Sequence, residues 1–552
     1  MHRQQERIFT TLVFATIVAG LSLHTLDGFW RADDTALLAH TLKHSLWDIF
    51  FSPAAWQELT TANLTPWESF SYYVDYALAG LNPFWFYLHQ ALALWLVAVI
   101  SIELFSLFMQ RSLAIAGVLL FLLGTPVLRI SDQLMTRHYL EGLLLSLLAV
   151  YFLLRYRQSG NLWQQALAVL CYLLVVTTKE IYVPVGVLLI LLANGSWRQR
   201  IRQALPFVIV IGLYVLWRHY MLPGLVGGYA QGSQYLSMHF WHEVMLAFFN
   251  IPALLFGSFT VYVAIPFFVV IVAGTMLQRR AWLWTLLLAG MVLAPLIPLV
   301  AYPGITTADR YLLLPWYALC FAFVFNLDAV RRHLVAKFPG GAVKAAAMGL
   351  CTVLAALLLL ERTQVQHSEQ PYYQAIDTQM HYLWDHDGSQ AFVPGNGMAT
   401  SFWMITALGE IKRMQEASAS IPKPVVDDIF LDDSLPLFEY SAQCRCMQDI
   451  SPTIPQRLAQ FQQARTAPLA IAITNQDGLI SWKFGPYTSG SYYIVSESIG
   501  SIRLAASQNA LRTSIRSGVD FHLRFNSPDG WSTYSPLLHL DADGRTLQWS
   551  RE

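Results

Sequence analysis

A chain of 552 residues with 55% hydrophobic and only 13% charged residues is too apolar for an ordinary soluble enzyme, because soluble domains carry roughly 25% charged residues. Its 35 basic residues balance its 35 acidic residues, and the lack of a basic surface argues against a nucleic-acid partner. Apolar runs of about 20 residues, the length that crosses a bilayer core, recur through the first two thirds and indicate a polytopic membrane protein.

Eleven apolar runs predict eleven transmembrane helices. The first run is longer than the apolar core of a signal peptide, and no small-residue cleavage site follows it. We therefore expect it to remain as the first span. The runs cover residues 8–26, 86–109, 112–130, 139–155, 162–178, 181–194, 204–219, 249–277, 282–301, 311–328 and 344–361.

The positions of arginine and lysine predict the side on which each loop lies, because cytoplasmic loops are enriched in both. With a cytoplasmic N-terminus, every basic cluster falls on the cytoplasmic side, and an odd number of spans places the C-terminus outside. We therefore expect a bacterial inner-membrane protein with a periplasmic C-terminal domain. The clusters are Arg3 with Arg7; Arg111; Arg155 with Arg157; Arg198, Arg200 and Arg202; Arg279 with Arg280; and Arg331, Arg332, Lys337 and Lys344.

The first predicted outer loop, residues 27–85, is far longer than a typical connection, whose median length is about 4–6 residues. Apolar residues recur in it every fourth position and predict one helix over residues 35–51. We expect this helix to lie flat at the membrane surface, with Trp30 and Trp47 at the level of the lipid headgroups. The apolar stripe consists of Leu38, Leu42, Leu46 and Phe50.

Two adjacent aspartates, Asp33 and Asp34, precede this helix in the stretch FWRADDTALL. Either carboxylate could cap the first turn of the helix by accepting backbone hydrogen bonds. Either could also act as a general base that takes a proton from an attacking hydroxyl, with its neighbour orienting it or raising its pKa. The two interpretations are compatible, because a capping residue can still face a cavity.

Basic side chains recur at the predicted outer ends of the spans, where few are expected. A single one is explained by a long side chain that reaches from a helix end to the headgroups. Several together suit a phosphate or pyrophosphate group at the outer membrane boundary. They are Arg137 and His138, Lys179, Arg218 and His219, and Arg310.

A lipid-linked phosphosugar would match both the aspartates and the cations. Its polyprenyl tail would stay in the bilayer, its phosphate would meet the cations, and its anomeric carbon would face Asp33 and an acceptor hydroxyl. Displacement in one step with one base inverts the anomeric configuration. The reaction needs no nucleotide, and the sequence contains neither a Walker loop nor a G-x-G-x-x-G loop.

Residues 362–552 lack long apolar runs and are predicted to form a soluble α+β domain, whose second half alternates apolar and polar residues in the manner of antiparallel strands. Cys444 and Cys446 are so close in sequence that a disulfide between them would be strained, and we expect none. We interpret a group of aspartates as a solvated turn, because the ligand order of a calcium loop is missing. A divalent metal is therefore not indicated, though it is left open. The aspartates are Asp427, Asp428, Asp432 and Asp433.

Four segments carry a resemblance to a known family. They are FWRADDTALL, SYYVDYALAGLNPFWFYLHQALALW (71–95), VVTTKEIYVPVGVLL (175–189) and TTADRYLLLPWYALC (306–320). In this order they resemble the GT-C superfamily of polytopic membrane glycosyltransferases that use polyprenyl-phosphate-linked sugars. The last segment is similar to the A-E-R-Y-L-Y-L-P stretch of the transmembrane-and-TPR O-mannosyltransferases. Tyr87 and Gln90 stand where relatives often carry histidine and asparagine, and residues 362–552 show no TPR repeats.

The resemblance implies a GT-C-like helical membrane domain over residues 1–361, with about eleven spans, followed by an extracytoplasmic α+β domain. It also implies an inverting enzyme that moves a sugar from a polyprenyl-phosphate donor to a glycolipid, a lipopolysaccharide component or an exported protein. Asp33 is the leading candidate for the catalytic base and Asp34 the next. Arg310 is the first candidate for the donor phosphate.

Two other functions remain open. A transporter or flippase for lipid-linked sugars often shows inverted repeats and broken helices near mid-membrane, whereas the ionisable residues here gather at one predicted face. A polymerase or ligase that joins lipid-linked oligosaccharides also uses an outer site with arginines. The acidic first loop and the large C-terminal domain favour the transferase.

Overall fold

A computed structural model describes residues 2–222, 237–278, 281–301, 309–393, 402–416, 418–464, 467–476, 479–504, 506–512, 518–540 and 547–549. The described chain is mostly helical and divides into two compact units. One, here called the membrane unit, consists of Met1–Gly28 and His40–Glu369. The other, the C-terminal unit, consists of Phe29–Ala39 and Gln370–Glu552. The C-terminal unit thus begins slightly later than the predicted residue 362, and it includes a short segment of the first predicted outer loop.

The helices of the described chain are numbered in order. The first nine are α1 His2–Leu26, α2 Asp34–Lys43, α3 Leu46–Phe51, α4 Pro53–Leu59, α5 Pro66–Ala79, α6 Pro83–Phe105, α7 Arg111–Leu123, α8 Thr125–Ser131 and α9 Arg137–Ser159. The others are α10 Leu162–Thr178, α11 Val185–Leu191, α12 Trp197–Met221, α13 Met238–Phe256, α14 Thr260–Leu277, α15 Ala281–Leu293, α16 Leu313–Val335, α17 Gly340–Asp385, α18 Phe402–Gln415 and α19 Ile454–Ala464.

Seven described helical segments are long and apolar enough to cross a membrane, and a bent pair of helices brings the number to eight. Each of the eleven predicted runs overlaps one of the seven segments, the bent pair or one of three shorter apolar helices, and the number of eleven spans stays a prediction. The described chain is therefore compatible with a multi-pass membrane protein. The seven are Gln4–Leu26, Pro83–Phe105, Leu134–Ser159, Trp197–Met221, Met238–Leu277, Arg310–Val335 and Gly340–Asp385; the shorter three are Leu162–Thr178, Glu180–Leu191 and Thr285–Ile297.

The run predicted over residues 112–130 is the bent pair, in which α7 and α8 meet at Gly124 with a bend of 57°. Pro126 causes the break, because it has no N–H to donate to the carbonyl of Leu122 one turn earlier. The buried guanidinium of Arg362 donates to that carbonyl instead, at 3.2 Å. A side chain on Gly124 would overlap the indole of Trp316, so only glycine fits at the bend.

The single helix predicted over residues 35–51 is in fact two helices, α2 and α3. The hydroxyl of Ser45 accepts a hydrogen bond of 3.1 Å from the backbone N–H of Asp48 and begins α3. Leu38 is fully buried, and Trp30 is 1% exposed. The prediction that Leu38 and Trp30 face lipid is therefore wrong: the aromatic-rich start of this segment packs into protein.

Helix α3 lies beside one end of the span Trp197–Met221. The indole N–H of Trp217, in the last turns of that span, donates to the backbone carbonyl of Phe50 at 2.8 Å. On the opposite face of α3, Trp47 and Phe51 pack together with 4.4 Å between ring centroids and are 71% and 45% exposed. Exposed aromatic rings at the end of a span are typical of the membrane–water interface, so the predicted surface position fits Trp47.

A buried ion pair between Arg137 and Asp75 joins three helices of the membrane unit. Arg137 at the start of α9 is fully buried and contacts Asp75 of α5 at 2.5 Å. Its guanidinium also donates to the backbone carbonyl of Phe86 in α6, at 2.7 Å. The other oxygen of Asp75 lies 2.7 Å from Nδ1 of His89, whose Nε2 lies 3.3 Å from Glu141.

The C-terminal unit contains the predicted α+β structure, with the helices first and most strands after them. Strands β1 and β2 pair in parallel, as do β1 and β3, and β4 closes a sheet of order β2-β1-β3-β4. Two further sheets, of order β5-β6-β9 and β13-β12-β10-β7-β8, follow. The strands are β1 Gln390–Phe392, β2 Lys423–Val425, β3 Leu437–Ser441, β4 Cys446–Asp449, β5 Ala470–Gln476, β6 Leu479–Gly485, β7 Ser491–Ser496, β8 Gly500–Arg503, β9 Gln508–Arg512, β10 Val519–Asn526, β11 Ser532–Tyr534, β12 Leu538–Leu540 and β13 Leu547–Trp549.

Alternate residues of β10 form the core between the last two sheets. Phe521, Leu523 and Phe525 are all nearly inaccessible to solvent, as expected for every second residue of a half-buried strand. Leu523 and Phe525 pack with Phe484 of β6 and Tyr492 of β7. The period-two pattern in the sequence is therefore confirmed as antiparallel β-structure.

A disulfide joins Cys444 to Cys446 in the turn between β3 and β4, so the expectation of no bond between them was wrong. Arg445 between them adopts a left-handed conformation with φ of 54°. This fold of the backbone brings the two Cα atoms to 5.2 Å, which lies within the range that disulfides bridge. The sequence argument failed because it did not foresee the turn.

We expect Trp47 to contact lipid. In nanodiscs that contain brominated phospholipids, replacing Trp47 with phenylalanine should remove a quenchable part of the tryptophan fluorescence. Trp56 is fully buried in the adjacent helix, and Trp56→Phe should remove only unquenched signal. Equal quenching of wild type and Trp47→Phe, measured per remaining tryptophan, would contradict a lipid contact at α3.

The Arg137–Asp75 pair should contribute strongly to stability. Removing one partner of a buried ion pair leaves an uncompensated charge and costs about 3–5 kcal/mol. Arg137→Leu should therefore lower the free energy of unfolding in detergent by this amount, and the double variant Arg137→Leu/Asp75→Leu should recover part of the loss. Arg200→Leu, at an exposed position of α12, is the control and should change the unfolding curve little.

Candidate functional site

Three of the six cations predicted to bind phosphate are placed for other roles. Arg137 neutralises Asp75 in the buried network described above. Arg218 is 3% exposed and forms an ion pair with Glu180. His219 follows it on α12 and is exposed, because adjacent residues of a helix point in different directions. Arg137 and Arg218 therefore each neutralise a carboxylate within the protein, and a phosphate role for these three cations stays a prediction.

The other three, His138, Lys179 and Arg310, come together at one end of the membrane unit, and we call them the cationic group. The charges of Lys179 and Arg310 both act on the imidazole of His138. Lys179 and His138 are 6% and 5% exposed. Three separate segments of the sequence thus supply one group of neighbouring side chains, and its role in binding phosphate stays a prediction.

Two tyrosine rings contact the cations of the cationic group. The ammonium of Lys179 lies 5.6 Å from the ring centre of Tyr139, and the guanidinium of Arg310 lies 5.4 Å from that of Tyr311. The two rings meet edge to face with 5.7 Å between their centroids. Cations that approach the faces of aromatic rings are stabilised by the electron density of the rings, which helps to hold these two charges away from bulk water.

Breaks in the helices place the cations. Helix α10 ends at Thr178, and Lys179 follows in an extended conformation before a short 3₁₀ turn at Glu180–Tyr182. The hydroxyl of Tyr182 donates to the backbone carbonyl of Tyr139. Its ring occupies the space where a side chain at Gly142 would lie. A glycine in α9 therefore allows the turn that carries Lys179 to pack closely against the helix that carries His138.

Carboxylates also reach the cationic group. Nδ1 of His138 lies 2.8 Å from a carboxylate oxygen of Glu68 in α5, and Glu180 acts on the same imidazole. The guanidinium of Arg310 is 3.5 Å from the side-chain oxygen of Gln133. His138 and Arg310 therefore have polar neighbours within the protein, and the group is a mixed polar site.

An apolar cavity of about 650 Å³ lies among α6, α9, α11, α15 and α16 of the membrane unit. Most of its lining residues are leucine, valine, isoleucine and phenylalanine, and the polar side chains of Ser146, Gln278, Thr285 and Asn326 also line it. Along α16 the lining runs from Leu314 to Asn326, a rise of about 18 Å at 1.5 Å per residue. The cavity is therefore long enough for an extended segment of hydrocarbon chain.

One end of the cavity begins beside the cationic group. Ile181 and Leu314 both line it, and they follow Lys179 and Arg310 by two and four residues in the sequence. At the opposite end of the lining lie Gln278 and Asn326. The membrane unit thus combines an apolar channel with positive charges at one of its ends, which suits an anionic lipid.

Asp33 and Asp34 belong to the C-terminal unit and differ in their surroundings. Asp34 is fully buried, and its carboxylate accepts a hydrogen bond of 2.8 Å from the backbone N–H of Arg31. Asp33 is half-buried and immediately precedes the first residue of α2. Its backbone carbonyl accepts from Leu37 at 3.0 Å. The side-chain hydrogen bond found for Asp34 is thus to the preceding Arg31, and not to a backbone N–H in the first turn of α2 as a helix cap would make.

Sequence reasoning missed the carboxylates that hold these motifs. Asp377 in α17 binds Arg31 of the FWRADD stretch through two hydrogen bonds. Asp75 lies inside the SYYVDY stretch, and Glu68 lies just before it. In the sequence, only their negative charge among apolar residues distinguishes them. That charge was the available signal, because a carboxylate in a buried helix needs a partner.

Two of the four aspartates at residues 427–433 are paired with arginines in the C-terminal unit. Asp427 is buried against Arg524 and accepts from the hydroxyl of Tyr534 at 2.8 Å. Burial raises the pKa of its carboxyl, although the neighbouring Arg524 acts in the opposite direction. Asp428 pairs with Arg457 at 2.7 Å. Within the described residues, no group of three histidine, cysteine or acidic side chains is placed to hold a metal ion.

Comparisons with known proteins do not identify a family. No protein-family model matches the chain, and no curated protein matches it.

Proposed function

We propose that the chain is a GT-C-type membrane glycosyltransferase, which transfers a sugar with inversion from a polyprenyl-phosphate donor to an acceptor outside the cytoplasm. The observation that carries the proposal is the cationic group at one end of the apolar cavity. An isoprenoid chain needs a long apolar channel, and a phosphate needs fixed positive charge. The membrane unit provides both in adjacent positions.

In the proposed complex, the two parts of the donor lipid bind in different places, the hydrocarbon tail in the cavity and the phosphate at the cations. The polyprenyl tail is already in hydrocarbon within a bilayer, so a cavity lined largely by aliphatic and phenylalanine side chains would hold it by close packing. Hydrogen bonds between cations and phosphate oxygens are short and strong. Lys179 and Arg310 would supply them, and they would stabilise the negative charge that grows on the phosphate as the glycosidic bond breaks.

The proposed orientation places the cationic group and the C-terminal unit outside the cytoplasm. The distribution of basic residues and an arrangement of eleven spans support this side. Arg7 and Arg111, both predicted to be cytoplasmic, pair with the same carboxylate, that of Glu103. The exposed disulfide Cys444–Cys446 in the C-terminal unit agrees with an oxidising compartment, since such bonds rarely persist in the cytosol.

In the proposed reaction Asp33 is the general base. The acceptor hydroxyl oxygen forms a bond to the anomeric carbon as the bond from that carbon to the phosphate oxygen breaks, and the hydroxyl proton passes to the carboxylate of Asp33. The products are the glycosylated acceptor and polyprenyl phosphate. One displacement inverts the anomeric configuration. Asp34, which is buried and bonded to the backbone of Arg31, supports the turn rather than the proton transfer.

One observation favours the second candidate, a transporter or flippase of lipid-linked sugars. The membrane unit contains helix breaks at Gly124 and at Lys179, and broken helices are typical of transporters. A transferase forms a new glycosidic bond in detergent solution, whereas a flippase only moves its lipid across a bilayer. Detection of glycosylated acceptor by mass spectrometry in detergent, with purified protein, therefore separates the two.

We expect Arg310→Ala to weaken binding of undecaprenyl phosphate by about tenfold to a hundredfold, since a hydrogen bond to a charged group is worth about 1.5–3 kcal/mol. Calorimetry in detergent measures the affinity, and undecaprenol, which lacks the phosphate, is the comparison ligand. Its affinity should not change. Arg200→Ala, on the exposed surface of α12, is the matched control. An Arg310→Ala protein with wild-type affinity for undecaprenyl phosphate would contradict the phosphate role.

Asp33→Asn should lower kcat for sugar transfer by about a hundredfold or more, because loss of a general base typically costs 10²–10⁴ in rate. Folding and affinity for undecaprenyl phosphate should stay at the wild-type level. Transfer can be followed with a radiolabelled polyprenyl-phosphate sugar. Turnover of Asp33→Asn at the wild-type rate would exclude Asp33 as the base.

A further inference from the structure

The segment Phe29–Asp34 is held in the C-terminal unit by one carboxylate, that of Asp377. Arg31 donates to its two oxygens from Nε at 2.7 Å and from Nη2 at 2.6 Å. The backbone N–H of Phe29 donates to the same carboxylate at 3.1 Å. Such a bidentate ion pair fixes the plane of the guanidinium as well as its distance from the carboxylate.

Aromatic contacts from the same helix complete this anchor. The guanidinium of Arg31 lies 4.8 Å from the ring centre of Tyr373, one turn before Asp377. The ring of Phe29 packs edge to face on His381, one turn after Asp377, with 5.0 Å between centroids. Arg31 is 3% exposed, so water competes little for its hydrogen bonds. The segment is therefore clamped along two turns of α17.

The residues that follow Arg31 are fixed by this clamp. Asp34 accepts from the backbone N–H of Arg31 at 2.8 Å, which closes a tight turn over Ala32 and Asp33. Ala32 adopts φ of 46° within that turn, a left-handed conformation that costs a residue with a side chain about 1–2 kcal/mol. Thr35 donates to the backbone carbonyl of Met404 at 2.9 Å and anchors the other side.

We propose that Asp377 is a positioning residue for the carboxylate of Asp33. It holds Arg31, Arg31 anchors the turn through its backbone, and the turn fixes where the Asp33 side chain projects. The strained conformation of Ala32 persists because the contacts on both sides of it are fixed. This inference rests on the proposed function, in which Asp33 is the base.

Positioning and simple stabilisation make different predictions. A residue that only stabilises the unit would, when replaced, reduce the amount of folded protein and leave the rate per folded molecule unchanged. A positioning residue would lower kcat in folded protein, because a displacement of about 1 Å at a reacting group can cost a hundredfold in rate. Affinity for undecaprenyl phosphate would not change in either case.

The experiment compares Asp377→Asn, Asp33→Asn and the control Asp387→Asn, which changes an exposed aspartate just beyond the end of α17. We expect Asp377→Asn to lower kcat per folded molecule by about tenfold to a hundredfold, with undecaprenyl phosphate affinity near wild type. The double exchange Arg31→Asp/Asp377→Arg should restore part of the rate, since it rebuilds the ion pair. The control should behave as wild type.

Hydrogen exchange supplies a readout that does not depend on catalysis. Backbone amides of residues 29–37 should exchange at least several-fold faster in Asp377→Asn and at the wild-type rate in Asp387→Asn. Unchanged exchange, or a wild-type kcat for Asp377→Asn while Asp33→Asn is inactive, overturns the positioning role and leaves the proposed function standing. Wild-type turnover by Asp33→Asn overturns both.

Discussion

The buried contact between Arg137 and Asp75 is the interaction on which the membrane unit depends most. A guanidinium without solvent exposure requires a partner of opposite charge, because an isolated charge in an apolar setting costs many kcal/mol. This requirement fixes α5 against α9, and the bond to the carbonyl of Phe86 adds α6. His138 is the next residue on α9, so the same contact determines where the cationic group can form.

In the proposed function, the cationic group and the apolar cavity together form the binding site for the lipid-linked donor. The side chains of Lys179 and Arg310 lie beside the rings of Tyr139 and Tyr311. A few residues further along their segments, the side chains are aliphatic and line the cavity. A ligand that is anionic at one end and hydrocarbon for the rest of its length satisfies both regions, and a polyprenyl phosphate has this form.

Much of the membrane unit follows from the sequence, and the failures share one cause. Hydropathy located the apolar helices, and the scarcity of charge marked six cations, of which the structure brings His138, Lys179 and Arg310 together. Periodicity could not show that Leu38 faces protein, because an apolar stripe looks the same against lipid and against a core. The sequence also could not predict tertiary partners, because Arg31 and Asp377 are 346 positions apart. The turn at Arg445 that permits the disulfide has no signal in the hydropathy pattern.

Arg362 shows what an unexpected charge in an apolar helix can mean. Hydropathy treats it as the point where the last predicted span stops, yet α17 continues unbroken past it. Its guanidinium donates a hydrogen bond to the carbonyl of Leu122, in place of the backbone N–H that Pro126 lacks. A charged side chain of α17 therefore completes the backbone hydrogen bonding of α7. Proline at one position and arginine at a distant one therefore form a complementary pair, and neither could be exchanged for an ordinary aliphatic residue without altering what the other requires.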